Sequence, residues 1–149
     1  MTYLTDLDDC TKALRYIRSA YDIDKQNPDI VFKYAIVLLK SSDYYRAKEK
    51  FLATLELDKN YFKAYIGIAE CELKLNKPNE ALSNLEKCAQ QLGDKKDFLM
   101  IKMFALVDIF EKDKENTELK DTITQICDKI VNEFGNDEIV EEIKQLHLK

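Results

Sequence analysis

The sequence predicts an all-α protein, a right-handed superhelical stack of helix-turn-helix repeats that is closed by a C-terminal capping helix. Three observations lead to this fold class. Only 3 Gly and 2 Pro occur among 149 residues, so the chain has few of the turn-forming residues that sheets and long loops need. Apolar residues recur at helical spacing through most of the chain. This pattern also returns at a fixed distance of 34 residues.

The period is carried by small and large apolar residues that fall into register as a block. Small residues align at Ala13, Ala47 and Ala81, larger ones four positions later at Ile17, Phe51 and Leu85, and Ala35 aligns with Ala69. Small side chains let neighbouring helices approach closely, and the larger residue fills the space between them. The period therefore predicts stacked helix hairpins.

The elements follow from this register and from local capping signals. We predict a half repeat over residues 6–24, repeats over 28–61 and 62–95, a divergent repeat over 97–134 and a capping helix over 137–149. The predicted helices of the repeats cover residues 28–40, 44–57, 61–75, 78–91, 97–112 and 117–134. Asn27 before Pro28 is a helix start signal, and Gly135 is a stop signal. Asn136 is the predicted N-cap of the last helix.

These residues resemble the tetratricopeptide repeat, whose pattern is an aromatic residue, Leu, Gly or Ala, and Tyr on the first helix, then Ala, Phe, Ala and Pro. The resemblance covers about residues 9–92. The first copy matches through Ala35, Asp43, Tyr44, Ala47, Phe51 and residues 55–58, and the second through Ala64, Tyr65, Ile68, Ala69, Glu80, Ala81, Leu82, Leu85 and Lys87. Glu72 stands where an aromatic residue is expected, and Lys59 where Pro is usual.

The resemblance implies ligand binding on a concave surface formed by the first helix of each repeat. Carried over by register, the inward positions of the two good copies are Asp29, Phe32, Lys33, Ile36 and Lys40, then Lys63, Ile66, Glu70 and Lys74. In the divergent repeat we take Ala105 as the small residue, two positions beyond the strict period. The inward positions there are Leu99, Met103, Leu106 and Phe110.

The predicted groove has a largely apolar floor with lysines at its edge. This chemistry suits an amphipathic helix or an extended segment with apolar anchors and acidic flanks. One variant of the family clamps C-terminal carboxylates of heat-shock chaperones with Lys and Asn at set inward positions. Those positions hold Phe32, Ile36, Ile66 and Glu70 here, so binding of chaperone tails is disfavoured.

Few residue patterns in the chain favour an enzyme, a metal site or a cofactor site, and we predict none of the three. The single histidine, His147, lies near the end, and the glycines Gly67, Gly93 and Gly135 are isolated. The cysteines Cys10, Cys71, Cys88 and Cys127 lie far apart among apolar residues, which is typical of core thiols in a reducing compartment.

The net charge, the length of the longest apolar segment and the N-terminal residues indicate which partners and compartment the sequence favours. The net charge is −5, and residues of both signs are interspersed along the sequence. Nucleic acid is therefore disfavoured as a partner, because its binding needs a basic patch that displaces counterions. The apolar segment 97–110 is too short for a membrane span. The first ten residues have neither the basic nor the apolar region of a secretory signal, so with Met1 as the start the sequence predicts a cytoplasmic protein.

We therefore expect an adaptor or scaffold that binds a peptide or helical segment of a partner protein in the concave groove. The alternative is a structural or self-associating subunit that uses the N-terminal helix, which lacks its own preceding helix. That helix either closes the stack alone, or has lost upstream repeats, or is covered by another molecule. The residues whose exposure would distinguish these cases are Leu7, Cys10, Leu14 and Tyr21.

Overall fold

Helices account for the regular secondary structure of residues 3–148, the part of the chain that the computed structural model describes; side chains are described for residues 9–148. In chain order the helices are α1 (Tyr3–Ile23), α2 (Pro28–Lys40), α3 (Tyr44–Leu57), α4 (Lys63–Lys74), α5 (Pro78–Glu86), α6 (Ala89–Leu92), α7 (Lys96–Phe110), α8 (Thr117–Phe134) and α9 (Glu138–His147). The predicted all-α fold class is confirmed.

The helices form a linear stack in which most of them pack on their neighbours in the chain. Helix α2 packs between α1 and α3, α4 packs between α3 and α5, and α7 contacts both α4 and α5 before it pairs with α8. Helix α9 packs on α8. Each hairpin thus covers an apolar face that it could not bury alone, which is the physical basis of a repeat stack.

Four of the five small residues of the 34-residue period lie in the core, and Ala13 in α1 is only partly buried. Ala35, Ala47, Ala69 and Ala81 are completely buried, and so are the large residues Phe51 and Leu85 between them. The core divides into a cluster around Phe51 and a larger one that extends from α4 to α9. Helix α7 supplies much of the larger cluster, which explains why it is apolar around its whole circumference.

Local signals in the sequence account for most helix bounds. The spans of α2, α3 and α8 agree with the predicted ones. The Asn27 side chain accepts a hydrogen bond from the Asp29 N–H at 3.0 Å and so caps α2, and Gly135, with φ of 88°, follows the last residue of α8. The division of these helices into repeat units remains our interpretation.

The predicted N-cap of α9 is wrong by one residue. The Asp137 carboxylate, and not Asn136, accepts hydrogen bonds from the N–H groups of Ile139 and Val140, at 2.9 and 3.2 Å. Asp137 also pairs with Lys96 at 3.0 Å, and this pairing, more than the backbone bonds, holds the pKa of its carboxyl below the usual range. A contact between distant parts of the chain therefore favours the aspartate as the cap.

The helix that was predicted over residues 78–91 is divided into α5 and α6. The N–H groups of Lys87 and Cys88 donate to carbonyls three residues back, at 3.2 and 3.1 Å, where an α-helix would use the fourth. The Cys88 thiol donates to the Leu85 carbonyl at 3.4 Å as well. The tighter turn ends α5 at Glu86.

Two hairpin turns that lie 34 residues apart share the same backbone conformation. Ser42 and Asn76 have φ of 65° and 62°, in the left-handed region. The following N–H groups, of Asp43 and Lys77, donate to carbonyls five residues back at 2.9 and 2.8 Å. This is the Schellman arrangement, in which glycine is the favoured residue at the left-handed position.

We therefore expect Ser42→Gly to raise the free energy of unfolding by about 0.5–1 kcal/mol, because glycine removes the steric penalty of a Cβ at positive φ. The same change at Asn76 should have a smaller effect, since asparagine tolerates this conformation better. Urea unfolding of both variants would measure the difference. A loss of stability in Ser42→Gly would contradict the assigned turn.

Glu72 is a buried carboxylate at the position where the repeat pattern has an aromatic residue. Its side chain is 3% exposed and lies 3.6 Å from the Lys48 ammonium group. The Asn84 amide also donates a hydrogen bond to it. The charge is therefore held by partners from α3 and α5, on either side of its own helix in the stack.

The N-terminal helix packs on the stack through one face. Leu14 and Tyr21 are partly buried against the Phe51 cluster. The rings of Tyr21 and Tyr34 form a T-shaped contact with their centroids 5.4 Å apart. Cys10 is half-buried, whereas the side chain of Leu7 lies outside the described residues. Tyr16 and Ile23 are 77% and 87% exposed. Self-association through α1 stays a prediction, and Leu14 and Tyr21 are already in contact with α2.

Candidate functional site

A cavity of about 840 Å³ lies along the first helices of successive hairpins, between α2, α4 and α7. Its lining comes from these three helices and from the segment that leads into α7. The lining residues are Phe32, Ile36, Lys63, Ile66, Gly67, Glu70, Leu92, Lys95, Lys96, Asp97, Met100, Ile101 and Phe104. Apolar side chains form most of this surface.

Five of the nine inward positions that the sequence indicated in the two good copies line this cavity: Phe32, Ile36, Lys63, Ile66 and Glu70. The lysines Lys33, Lys40 and Lys74 are exposed and do not line it. Asp29 is exposed as well and binds the hydroxyl group of Tyr61. The register in α2 and α4 therefore brings part of the expected set to one concave surface, while most of the predicted lysine edge lies outside it.

The expected positions in α7 are wrong. Leu99, Met103, Leu106 and Phe110 belong to the core, with exposed fractions of 5%, 0%, 8% and 3%. The prediction fails because Ala105 is not the counterpart of Ala35 and Ala69 in this repeat. Met103 lies instead where the period has Ala35 and Ala69, and its sulfur is 3.5 Å from that of Cys127. A flexible methionine fills the close contact that alanine occupies in the other copies.

After its first residue, Lys96, the cavity residues of α7 are Asp97, Met100, Ile101 and Phe104. They follow Lys63, Ile66, Gly67 and Glu70 at a distance of 34 residues. From the predicted inward positions Lys63, Ile66 and Glu70, the strict period gives Asp97, Met100 and Phe104, whereas Ile101 follows Gly67, which is not one of those positions. Leu92 ends α6, Lys95 lies in the connection and Lys96 begins α7, and the residues 34 positions before these three do not line the cavity.

The wall of the cavity on the α2 side includes the Phe32 ring, which packs on two further aromatic rings. The Phe32 ring lies 5.6 Å from Phe51 and 4.9 Å from Tyr61, measured between centroids. The Tyr61 hydroxyl donates to the Asp29 carboxylate at 2.8 Å. Burial and then this carboxylate raise the pKa of Tyr61 to about 12. Phe32 is thus held between a core ring and a tethered tyrosine, which gives the wall a defined shape.

The charged groups of the cavity have few partners. Lys96 forms an ion pair with Asp137, but the side chains of Lys63, Lys95, Glu70 and Asp97 form no ion pair or hydrogen bond with any described group of residues 9–148. Burial raises the pKa of Glu70, Asp97 adds to this effect, and Lys74 opposes it. The apolar floor therefore carries charges of both signs that are free for a ligand.

The remaining groups with reactive potential lie elsewhere. Cys71, Cys88 and Cys127 are buried thiols, and burial raises the pKa of all three, that of Cys71 to about 12. His147 contacts the Glu111 carboxylate on the far side of α7. Among the side chains that are described, those of residues 9–148, no set of three His, Cys, Asp or Glu is placed to hold a metal ion. No helix in this range is long and apolar enough to cross a membrane.

Solved structures with a similar fold support this assignment of a repeat stack. The structures described as "MamA RS-1 ArsTM double mutant" and "MamA 41-end from Desulfovibrio magneticus RS-1" have TM-scores of 0.66 and 0.60, each at 20% identity and each covering 93% of this chain. The similarity extends over 77% and 85% of those chains. YrrB, described as a TPR protein with an unusual peptide-binding site, has a TM-score of 0.54 at 15% identity, covering 96% of this chain and 87% of its own.

One similar sequence is the "Sol locus transcriptional repressor" of Clostridium acetobutylicum, which is 25% identical over 122 residues. The match covers 80% of this chain but only 36% of that relative. The family model described as "Anaphase-promoting complex, cyclosome, subunit 3" matches residues 6–88, more than half of the chain, and it is of the tetratricopeptide-repeat type. The chain belongs to this family, and the resemblance to the tetratricopeptide repeat is confirmed.

Proposed function

We propose that the protein is an adaptor that binds an apolar segment of a partner protein in the cavity between α2, α4 and α7. Families of the tetratricopeptide type are generally protein-interaction modules and not enzymes. The peptide-binding site in the printed title of the YrrB structure is consistent with such a role, although at 15% identity that likeness concerns the fold alone.

The observation that carries the proposal is the continuous apolar surface across three successive first helices. Phe32, Ile66 and Phe104 come from α2, α4 and α7, and each is partly exposed in the cavity. Apolar side chains that line a concave surface lose water contact when a complementary segment binds, and this is the main source of affinity in helix-in-groove complexes. The volume of about 840 Å³ accommodates several anchoring side chains.

The charges at the cavity mouth limit the kind of segment. Lys63 and Lys95 are exposed and favour acidic residues at the flanks of the ligand. A free C-terminal carboxylate is a poor ligand for the cavity floor, because Phe32, Ile36 and Ile66 offer no hydrogen-bond donors there.

Capture of partners from a lysate of the source organism tests the proposal. The double variant Ile66→Glu, Phe104→Glu places two carboxylates on the cavity surface, and we expect it to recover at least about tenfold less of the bound partner. The matched control is Leu52→Glu, since Leu52 is an exposed apolar residue of α3 outside the cavity. Circular dichroism would verify that all proteins are folded. Equal recovery by the wild type and the double variant would contradict binding in this cavity.

A further inference from the structure

Exposed apolar side chains are concentrated in the first helix and in the last two helices of the stack. Among residues 9–148, seven large apolar side chains are exposed, and five of them belong to α1, α8 and α9. These five are Tyr16, Ile23, Phe134, Ile139 and Leu146. Both ends of the described stack therefore present apolar surface to solvent.

Helix α1 is uncovered on the face where the other second helices are packed. The 34-residue period aligns α1 with α3 and α5, which are second helices in our division into hairpins. Helix α3 packs on the helices before and after it, whereas α1 packs on α2, the helix after it. Ala13 and Ile17 of α1 are accordingly only partly buried, while their counterparts Ala47 and Phe51 are completely buried. A first helix of the repeat type is missing from this face within residues 3–148.

Tyr16 points toward the place of that missing helix. Its counterpart in α3 is Lys50, whose ammonium group lies 4.2 Å from the ring centroid of Tyr21 and 5.1 Å from that of Tyr34. These two rings belong to α1 and α2, the helices that precede α3. The same direction on α1 leads to the open end of the stack.

Helix α9 has the complementary position at the other end. It follows the second helix α8 and packs on it, as α4 follows α3 and packs on it, so it takes the place of a first helix. Ile139 and Leu146 are 47% and 68% exposed and lie seven residues apart, on one side of α9. Tyr16 and Ile23 have the same spacing on α1. Each end therefore offers two apolar anchors about 10 Å apart along a helix.

The two ends carry opposite charge. Residues 10–21 of α1 include three basic residues, Lys12, Arg15 and Arg18, and no acidic one. Residues 133–142, at the α8–α9 end, include five acidic residues and no basic one. Asp137 pairs with Lys96, but the other four carboxylates form no ion pair or hydrogen bond with any described group of residues 9–148. Charges of this kind favour contact between the two ends.

We propose that copies of this chain associate head to tail, with α9 of one copy packed on the uncovered face of α1 of the next. The contact completes a hairpin of a first and a second helix between two molecules. It joins different surfaces of the two copies, so each pair keeps a free α1 and a free α9, and further copies can add. The interface is small, so the association is weak and depends on concentration. It does not involve the cavity between α2, α4 and α7.

Sedimentation velocity of the full chain over a range of concentrations tests the association. We expect the average mass to rise with concentration and to pass the mass of a dimer, because the contact leaves both ends open. A protein that stays monomeric at the highest concentration, or that stops at a dimer, would overturn the proposal.

Variants blocked at one end test which surfaces meet. We expect Tyr16→Glu, Ile23→Glu on α1 and Ile139→Gln, Leu146→Gln on α9 each to weaken self-association at least about tenfold. An equimolar mixture of the two variants should form dimers and nothing longer, since each contributes one intact end. The control Tyr45→Glu, Leu52→Glu changes exposed apolar residues of α3 and should associate like the wild type. Circular dichroism would verify folding. Failure of the mixture to associate, or an equal loss in the control, would overturn the proposal.

The charge match is tested by Arg15→Glu, which we expect to weaken the association about fivefold by placing a carboxylate opposite the acidic end. The control Lys33→Glu makes the same change of net charge at an exposed residue of α2 and should have little effect. Equal association of these two variants would contradict the assigned contact.

Discussion

Replacing Gly67 by alanine should lower the free energy of unfolding by about 1–3 kcal/mol, which is the usual effect of overpacking a core. A Cβ atom at this position would lie within 2.7 Å of three ring atoms of Phe51. That ring is completely buried and packs on Phe32 at a centroid distance of 5.6 Å, so it cannot move aside freely. The missing side chain is what allows α4 to approach α3 here.

The sign of this effect distinguishes it from ordinary helix propensity. In an unhindered helix interior, glycine to alanine stabilises by about 1 kcal/mol. Urea unfolding therefore distinguishes the two cases. Gly67→Ala lowers the free energy of unfolding if the new Cβ meets a close contact, and raises it if the space is open. Ser83→Ala is an exposed control on α5. A stabilised Gly67→Ala protein would mean that the Phe51 ring is not tightly held.

The contact partner is tested by a double-mutant cycle. Phe51→Leu makes room for the new Cβ, so adding Gly67→Ala to Phe51→Leu should have a smaller effect than adding it to the wild type. Additive effects would show that the loss of stability has another source.

The second large effect is expected at the buried carboxylate of Glu72. Replacing Asn84 by leucine should destabilise the protein by about 2 kcal/mol, because it removes a hydrogen-bond donor from a carboxylate that is 3% exposed. Lys48, at 3.6 Å, remains as a partner and limits the loss. Ser83→Leu, an exposed change next to it on α5, should stay within about 0.5 kcal/mol of the wild type.

Removing the charge as well should restore the stability. The equivalent of Glu72 in the preceding copy is Leu38, which is buried at the same place of its own hairpin. A double variant with leucine at both Glu72 and Asn84 should be at least as stable as the wild type, since a buried polar pair is often no better than apolar residues of similar volume. Urea unfolding of the two single variants and the double variant measures this. A double variant that is less stable than Asn84→Leu alone would contradict the argument.

Much of the stack could be predicted from the sequence because its signals are local. The bounds of α2, α3 and α8 depend on apolar spacing over a few turns and on adjacent capping residues, and all three agree with the prediction. Five predicted inward positions of α2 and α4 line the cavity because the second copy repeats the environment of the first. For α7 the two-residue shift to Ala105 departs from this period, and the four positions that it predicts for the cavity belong to the core.

The sequence by itself determined the all-α fold class, the 34-residue repeat and the bounds of α2, α3 and α8, since these depend on residues close together in the chain. The tertiary structure decided the contacts that join distant residues. It placed Met103 in the position of an alanine, brought the Phe51 ring against Gly67, and supplied Lys48 and Asn84 to Glu72. It also brought residues of α2, α4 and α7 into the lining of one cavity. Such pairings depend on the depth and angle at which helices pack, and a pattern of residue types does not contain these quantities.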